Sequence, residues 1–435
     1  MSRRTISRRE FLKIGGASLA GATLLGGCGG GGGDNGLVFS WGPELTGTLQ
    51  EMVDRFNQEN EDGINVTYRE MPSDTGQYFD RLRTEFQAGG GDIDVIGSDV
   101  IWPAQFAAQG WLLDLSDRFP KSEQSDFLDA PIESNTYDGK PFGVPWYMDS
   151  GMLYYRQDLL EEAGFSEPPA TWDELKEMAE RIKQDEGVQY GFVFQGSDYE
   201  GGVCNLCEYV WTHGGDLLDP DDPSRVIVDS PESAASFATA RGMIADGISP
   251  QSVTTFTEQE SQTTFLNGDA VFMRNWPYIY GLAANEDESR VRQEQLSVAP
   301  IPAGGPDNDT FSTLGGWNFS INAATDNPDA AWTFIQWMTA PEQLKEFALK
   351  TARIPPRQEL LEDQEILDTL PVVRLGKEAI DRTRPRPVSP FYSDLSLEMS
   401  EVFTTNLRGD VEPEQAVANL QSEMEEIIEQ GQQMN

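Results

Sequence analysis

The sequence predicts an α/β protein of two doubly wound lobes joined by several crossovers. The chain has 435 residues, more than one hydrophobic core usually organises. From residue 37 onward, short apolar runs alternate with amphipathic stretches, the pattern of sheets flanked by helices. No disordered linker separates the halves, which favours a chain passing back and forth between lobes over two domains in series.

Leu37-Val38-Phe39-Ser40-Trp41 reads as a strand, and Glu44 to Asn60 as a helix with Leu45, Leu49, Met52, Val53 and Phe56 at core spacing. Ile64 to Tyr68 is the next strand, Tyr78 to Ala88 the next helix, and Asp94-Val95-Ile96 the third strand. Such a β-α-β-α-β run makes a parallel sheet that meets ligands at its strand C-termini. Thr171-Trp172-Asp173-Glu174 is a capping box opening a helix through Lys183. Tyr190 to Gln195 is a strand, and Ser230-Pro231 starts a helix through Ala245. Phe265 to Met273 reads as helix end, turn and strand; Leu296 to Ile301 and Gly316 to Asn322 are further strands. Pro328 and Pro341 each open a helix, Glu412 to Gln433 is a long one, and Arg384 to Pro390 is too proline-rich for anything but an extended loop.

With 31 basic and 73 acidic residues the net charge is −42, which excludes nucleic acid or anionic lipid as an electrostatic partner. The cations are 8 Lys and 23 Arg. Self-repulsion on this scale is relieved in molar salt, where the screening length falls to about 3 Å, so the chain is expected to be halophilic.

Ser7-Arg8-Arg9-Glu10-Phe11-Leu12-Lys13 forms a twin-arginine export signal, followed by an apolar stretch too short to span a bilayer. Leu25-Gly26-Gly27-Cys28 is similar to a lipobox, so residues 1–28 are expected to be a signal peptide ending at a lipidated Cys28. Residues 29–36 form a glycine-rich tether with a reach on the order of 15 Å. The protein is therefore expected at the extracellular face of the membrane, lipid-anchored. Cys204 and Cys207 lack a second Cys pair, and His213 is the sole histidine. Buried thiols are expected rather than a metal or redox site, and histidine-based metal catalysis is excluded.

No phosphate-binding loop or nucleophile elbow is present. What remains is a set of acids and aromatics at strand ends and turns: Glu44, Asp99, Tyr147, Asp149, Trp276, Tyr278 and Trp317, with Arg386 in the proline-rich loop. Carboxylates accept from vicinal hydroxyls, Arg donates to ring or linkage oxygens, and ring faces cover the C–H face of a pyranose. The set suits a neutral sugar.

Taken in order, Asp99-Val100-Ile101-Trp102…Gly110-Trp111-Leu112, Val144-Pro145-Trp146-Tyr147-Met148-Asp149…Leu153-Tyr154-Tyr155-Arg156, Phe265…Gly268…Met273-Arg274-Asn275-Trp276-Pro277-Tyr278 and Leu314-Gly315-Gly316-Trp317 carry a resemblance. Over residues 37–435 the chain resembles the extracellular solute-binding proteins of ABC sugar importers, in the group of maltose- and trehalose-binding proteins. The resemblance implies a periplasmic-binding-protein-like type II fold, with residues 37–145 and 300–338 in lobe 1, 146–297 and 341–435 in lobe 2, and sugar held between them. It implies Glu44 and Asp99 as first-lobe acceptors, Tyr147 and Asp149 as a hinge-side pair, and Trp276, Tyr278 and Trp317 as stacking positions. Gly315 matches a ligand-contacting turn, Arg386 a cationic donor and Ser73 a further hydroxyl contact. It also implies a monomer that works with membrane permease subunits and a cytoplasmic ATPase, without cofactor, metal or catalytic residue. Two rivals remain at this stage: a lipid-anchored glycoside hydrolase using two of the carboxylates, and the same scaffold binding a polyamine or peptide.

Overall fold

A computed structural model describes residues 36–434 apart from 45, 73–74, 91 and 286–288. The export signal, Cys28, tether residues 29–35 and Ser73 lie outside the described residues. The strands gather into a six-stranded and a four-stranded sheet, with two short hairpin pairs besides. In the first sheet, Gly36–Trp41 is flanked in parallel by Asn65–Glu70 and Val95–Asp99. The long strand Ser312–Ile321 runs antiparallel to Val95–Asp99 and to Val144–Ser150, and Thr383–Arg384 pairs with its start. The second sheet has the order Leu296–Ala299, Met152–Arg156, Ala270–Asn275, Tyr190–Val193. The chain thus passes between sheets at Gly151, again between Ala299 and Ser312, and again on its way to the helix Tyr392–Arg408.

Local chemistry sets the element ends. The first helix spans Thr48–Glu59, not Glu44 onward, because Gly47 takes a left-handed φ of 77° that no continuous helix permits. Glu44 instead folds back onto the helix start, its carboxylate accepting from the backbone N–H of Thr46 (2.8 Å) and Leu49 (3.2 Å). At Trp172–Glu186 the Thr171 hydroxyl accepts from Glu174 N–H at 3.3 Å, while the Glu174 carboxylate accepts from Ala170 N–H at 2.7 Å. Ser230 caps Pro231–Ala245 in the same manner.

Three further placements matter. Glu200–Thr212 is buried along almost its whole length and holds Cys204 and Cys207 as free, buried thiols. The expected lobe boundary at 145/146 falls inside the first-sheet strand Val144–Ser150, so the first lobe runs on to Ser150. The helix Pro341–Thr351, which the boundary at 341 assigns to the second lobe, packs on the first. Its Phe347 lies 4.8 Å from the Trp146 ring, and Glu346 and Lys350 pair with Arg55 (2.5 Å) and Glu51 (3.1 Å) on the first helix. The apolar stripe of Pro341–Thr351 fits the surface beside its sequence neighbour Pro328–Met338, so no crossover occurs at 341.

Candidate functional site

The register of Ser312–Ile321 assembles the first-lobe part of the site. Trp317 lies opposite Asp99 on one side and Tyr147 on the other, and Gly315 lies opposite Asp149. Residues two apart share a strand face, so Gly315 and Trp317 project with Tyr147 and Asp149. Trp317 is fixed by Trp41 and Trp102 edge-on (5.8 and 5.4 Å between centroids) and by Tyr78 stacked at 5.9 Å. The Tyr147 ring lies beneath the Arg353 guanidinium at 5.0 Å.

The second lobe contributes Trp276 and Tyr278 just beyond the strand Ala270–Asn275. Asn275 Oδ1 accepts from Trp276 N–H at 2.8 Å, turning the chain, and the indole N–H donates to Glu258 at 3.3 Å. The Arg274 guanidinium covers the indole at 4.1 Å, and the Tyr278 hydroxyl donates to Gln262 at 3.1 Å. Gly315 is where the lobes meet: a Cβ there would stand 3.1 Å from Trp276 Cζ3 and 3.3 Å from Asp149 Cβ. A side chain at 315 would crowd both the indole and Asp149, so the close approach requires glycine.

The two aspartates are poorly solvated but not sealed, with side chains 15% (Asp99) and 13% (Asp149) exposed. Burial pushes the Asp99 carboxyl up to about 6, Arg386 opposing and Glu200 adding to the rise. Burial likewise raises Asp149 to about 6, against the pull of Arg353 at 3.3 Å. Such carboxylates gain from any ligand hydroxyl that donates to them. Glu44 differs: burial pushes its carboxyl up, but hydrogen bonds from Thr46, Leu49 and Thr48 together hold it below the usual range, and much of its accepting capacity is taken by its own helix. Arg386 is buried, pairs with Glu200, donates to Leu314 O at 3.2 Å, and lies 3.8 Å from Asp99. Its Nε has no partner among the described residues.

Of the ten residues predicted, Asp99, Tyr147, Asp149, Trp276, Tyr278, Gly315, Trp317 and Arg386 converge; Glu44 lies at the margin, within electrostatic reach of Arg353; Ser73 lies outside the described residues. Sequence reasoning missed Arg353, Glu200 and Glu258. The signal for Arg353 was a lone cation between a helix end and Ile354-Pro355-Pro356. Glu200 precedes Gly201-Gly202, where a Cβ at 201 would meet the Tyr199 hydroxyl at 2.1 Å. His213 is a buried structural group, bonded to Tyr209 O (2.7 Å) and Thr239 (2.9 Å). A cavity of about 650 Å³ lies elsewhere, between residues 133–138, 222–224 and 388–391, and none of the predicted residues lines it. Its wall includes Glu133, Asp138, Asp222, Tyr137 and Phe391, separate from the acids and rings of the site above.

Two α/β lobes linked by repeated crossovers, with one polar and aromatic site drawn from both, define a solute-binding protein of the periplasmic type II fold. The chain belongs to the family of bacterial extracellular solute-binding proteins, whose model matches residues 42–345. A probable ABC transporter-binding protein of Deinococcus radiodurans is 30% identical over 377 residues, covering 85% of this chain and 88% of its own. A maltotriose-binding protein of Pyrococcus abyssi is 28% identical over 71% of this chain and 64% of its own. The maltose-bound MalE3 of T. maritima superposes with a TM-score of 0.79 at 35% identity, over 89% of this chain and 98% of that one.

Proposed function

We propose that the chain captures a neutral mono- or disaccharide, of the maltose, trehalose or glucose kind, outside the cell and delivers it to an ABC permease driven by a cytoplasmic ATPase. The observation that carries this is Gly315, whose missing side chain lets Asp149 and the Trp276 ring both pack close to the same backbone: a weakly solvated acceptor and a ring brought to one place. A pyranose offers both complements, hydroxyls at its rim and C–H groups on its face. The sugar-binding relatives support the same reading. Function is then differential binding without covalent chemistry: contacts made on both lobes only when closed shift the population toward the closed form. Moving that ratio from 1:99 to 99:1 takes about 5.5 kcal/mol, within reach of several charge-assisted hydrogen bonds and two stacked rings.

The finer attributes belong to the same proposal: twin-arginine export, a lipid on Cys28, a monomeric body and adaptation to high salt. The test is a sugar panel in molar KCl, read by thermal shift and calorimetry, with product analysis alongside. A sugar present at 100 times its Kd stabilises the fold by about 2.7 kcal/mol. A saturable shift with unaltered sugar is expected. Released product assigns a hydrolase, and a response to polyamines alone refutes the sugar reading.

A further inference from the structure

We propose that the buried Glu208–Arg274 ion pair is the pin of the interlobe hinge, and that it couples the Trp276 ring to two of the crossovers. Arg274 meets Glu208 through both carboxylate oxygens, Nη2 to Oε1 at 2.6 Å and Nε to Oε2 at 2.8 Å. Their side chains are 1% and 2% exposed. Glu208 Oε1 also accepts the backbone N–H of Thr313 at 3.0 Å, at the end of the second crossover. Gly151, the pivot of the first crossover, donates its N–H to Thr313 O at 3.1 Å. A Cβ on Gly151 would fall 1.9 Å from Glu208 Oε1 and 2.5 Å from Arg274 Nη2. Two crossovers and the helix Glu200–Thr212 therefore close on a single carboxylate.

The other side of the same guanidinium rests on Trp276, 4.1 Å from the ring centroid. Its third nitrogen, Nη1, donates to Gln195 Oε1 at 3.3 Å, so the planar fork has little freedom to turn. A buried ion pair is a poor source of stability compared with apolar residues of equal volume. Directional geometry is what this one supplies. A fork fixed by Glu208 and Gln195 fixes the plane of the indole, and a change in that plane is felt at Thr313 and Gly151. Glu208 and Arg274 act as positioning residues, through Trp276 and the crossovers. The ligand arm of this proposal rests on the sugar-capture reading; the hinge arm does not.

The experiment uses the full chain in molar KCl with one spin label on each lobe, comparing wild type with Glu208→Gln and Arg274→Lys. Without sugar, both variants are expected to fold and to show a broader interlobe distance distribution than wild type. With maltose as the probe, each is expected to lose at least tenfold in affinity. The loss from Arg274→Lys should disappear in a Trp276→Leu background, a coupling that a merely structural role would not produce. Folded variants with the wild-type distribution and additive affinities overturn the proposal. Should neither variant fold, hydrogen exchange at the Thr313 amide of the wild type decides: slowing on maltose binding supports the pin, and unchanged exchange overturns it. A wild type that binds no sugar sinks the sugar reading alone, since the sugar-free distances still judge the hinge.

Discussion

Asp149→Asn should make the empty protein more stable and the receptor worse. Holding the Asp149 carboxyl at about 6 instead of its ordinary 3.8 sets about 3 kcal/mol against its ionised form in the folded chain. The unfolded chain releases this proton near 3.8 and the native chain only near 6, so the native state holds more protons in that window. Stability therefore falls as pH rises from about 4 to about 6, and the full penalty is present above it. Asparagine removes the penalty. It also leaves Arg353 without its carboxylate, but that side chain is 33% exposed and water replaces the contact at a cost of up to about 1 kcal/mol. The net expectation is a gain of about 2 kcal/mol at about pH 7.5, shrinking to nothing or a small loss at about pH 4, where the wild-type carboxyl is already neutral. Urea unfolding of both proteins across that pH range in molar KCl measures it, and taking the difference cancels the titration of the many other acids. A variant less stable than wild type at neutral pH, or a difference that ignores pH, refutes the reasoning. Sugar affinity should fall roughly ten- to a hundredfold, the value of a hydrogen bond to a charged acceptor.

Trp276→Ala should weaken sugar binding at least tenfold while the protein stays folded, because the ring is only partly buried; unchanged affinity by calorimetry removes Trp276 from the site. Burial pushes the Cys204 thiol up to about 12 and holds Cys207 well above the usual thiol range, so neither should react with a thiol reagent before unfolding; rapid labelling of the native protein contradicts that placement. Melting temperature should rise from low to molar KCl, and a maximum at low salt would end the halophilic reading.

The alternation of strands and helices was legible because period and cap residues are local: Thr171 and Ser230 cap where their spacing says they should. Element ends were less so. Gly47 broke a helix that its apolar positions would have continued, and Glu44, read as helical, became the group that satisfies the helix start. Most site residues were legible as types at strand ends, but their convergence was not, since Trp317 meets Asp99 and Tyr147 through pairing that local pattern cannot encode. The resemblance to a known family supplied that step. Arg353 escaped because its partner Asp149 lies 204 positions away, and Glu200 because it reads as the first residue of an apolar helix.

The long antiparallel strand in the first sheet has a consequence for synthesis. Its Ser320 shares a hydrogen bond with Ser98 across 222 positions, so the early strands wait for their neighbour until most of the chain has left the ribosome. Until then a growing polypeptide displays an unpaired strand edge, the kind of surface that invites aggregation. A fragment ending near residue 300 lacks the strand that joins Val95–Asp99 to Val144–Ser150, so the first sheet closes only after residue 321 has emerged.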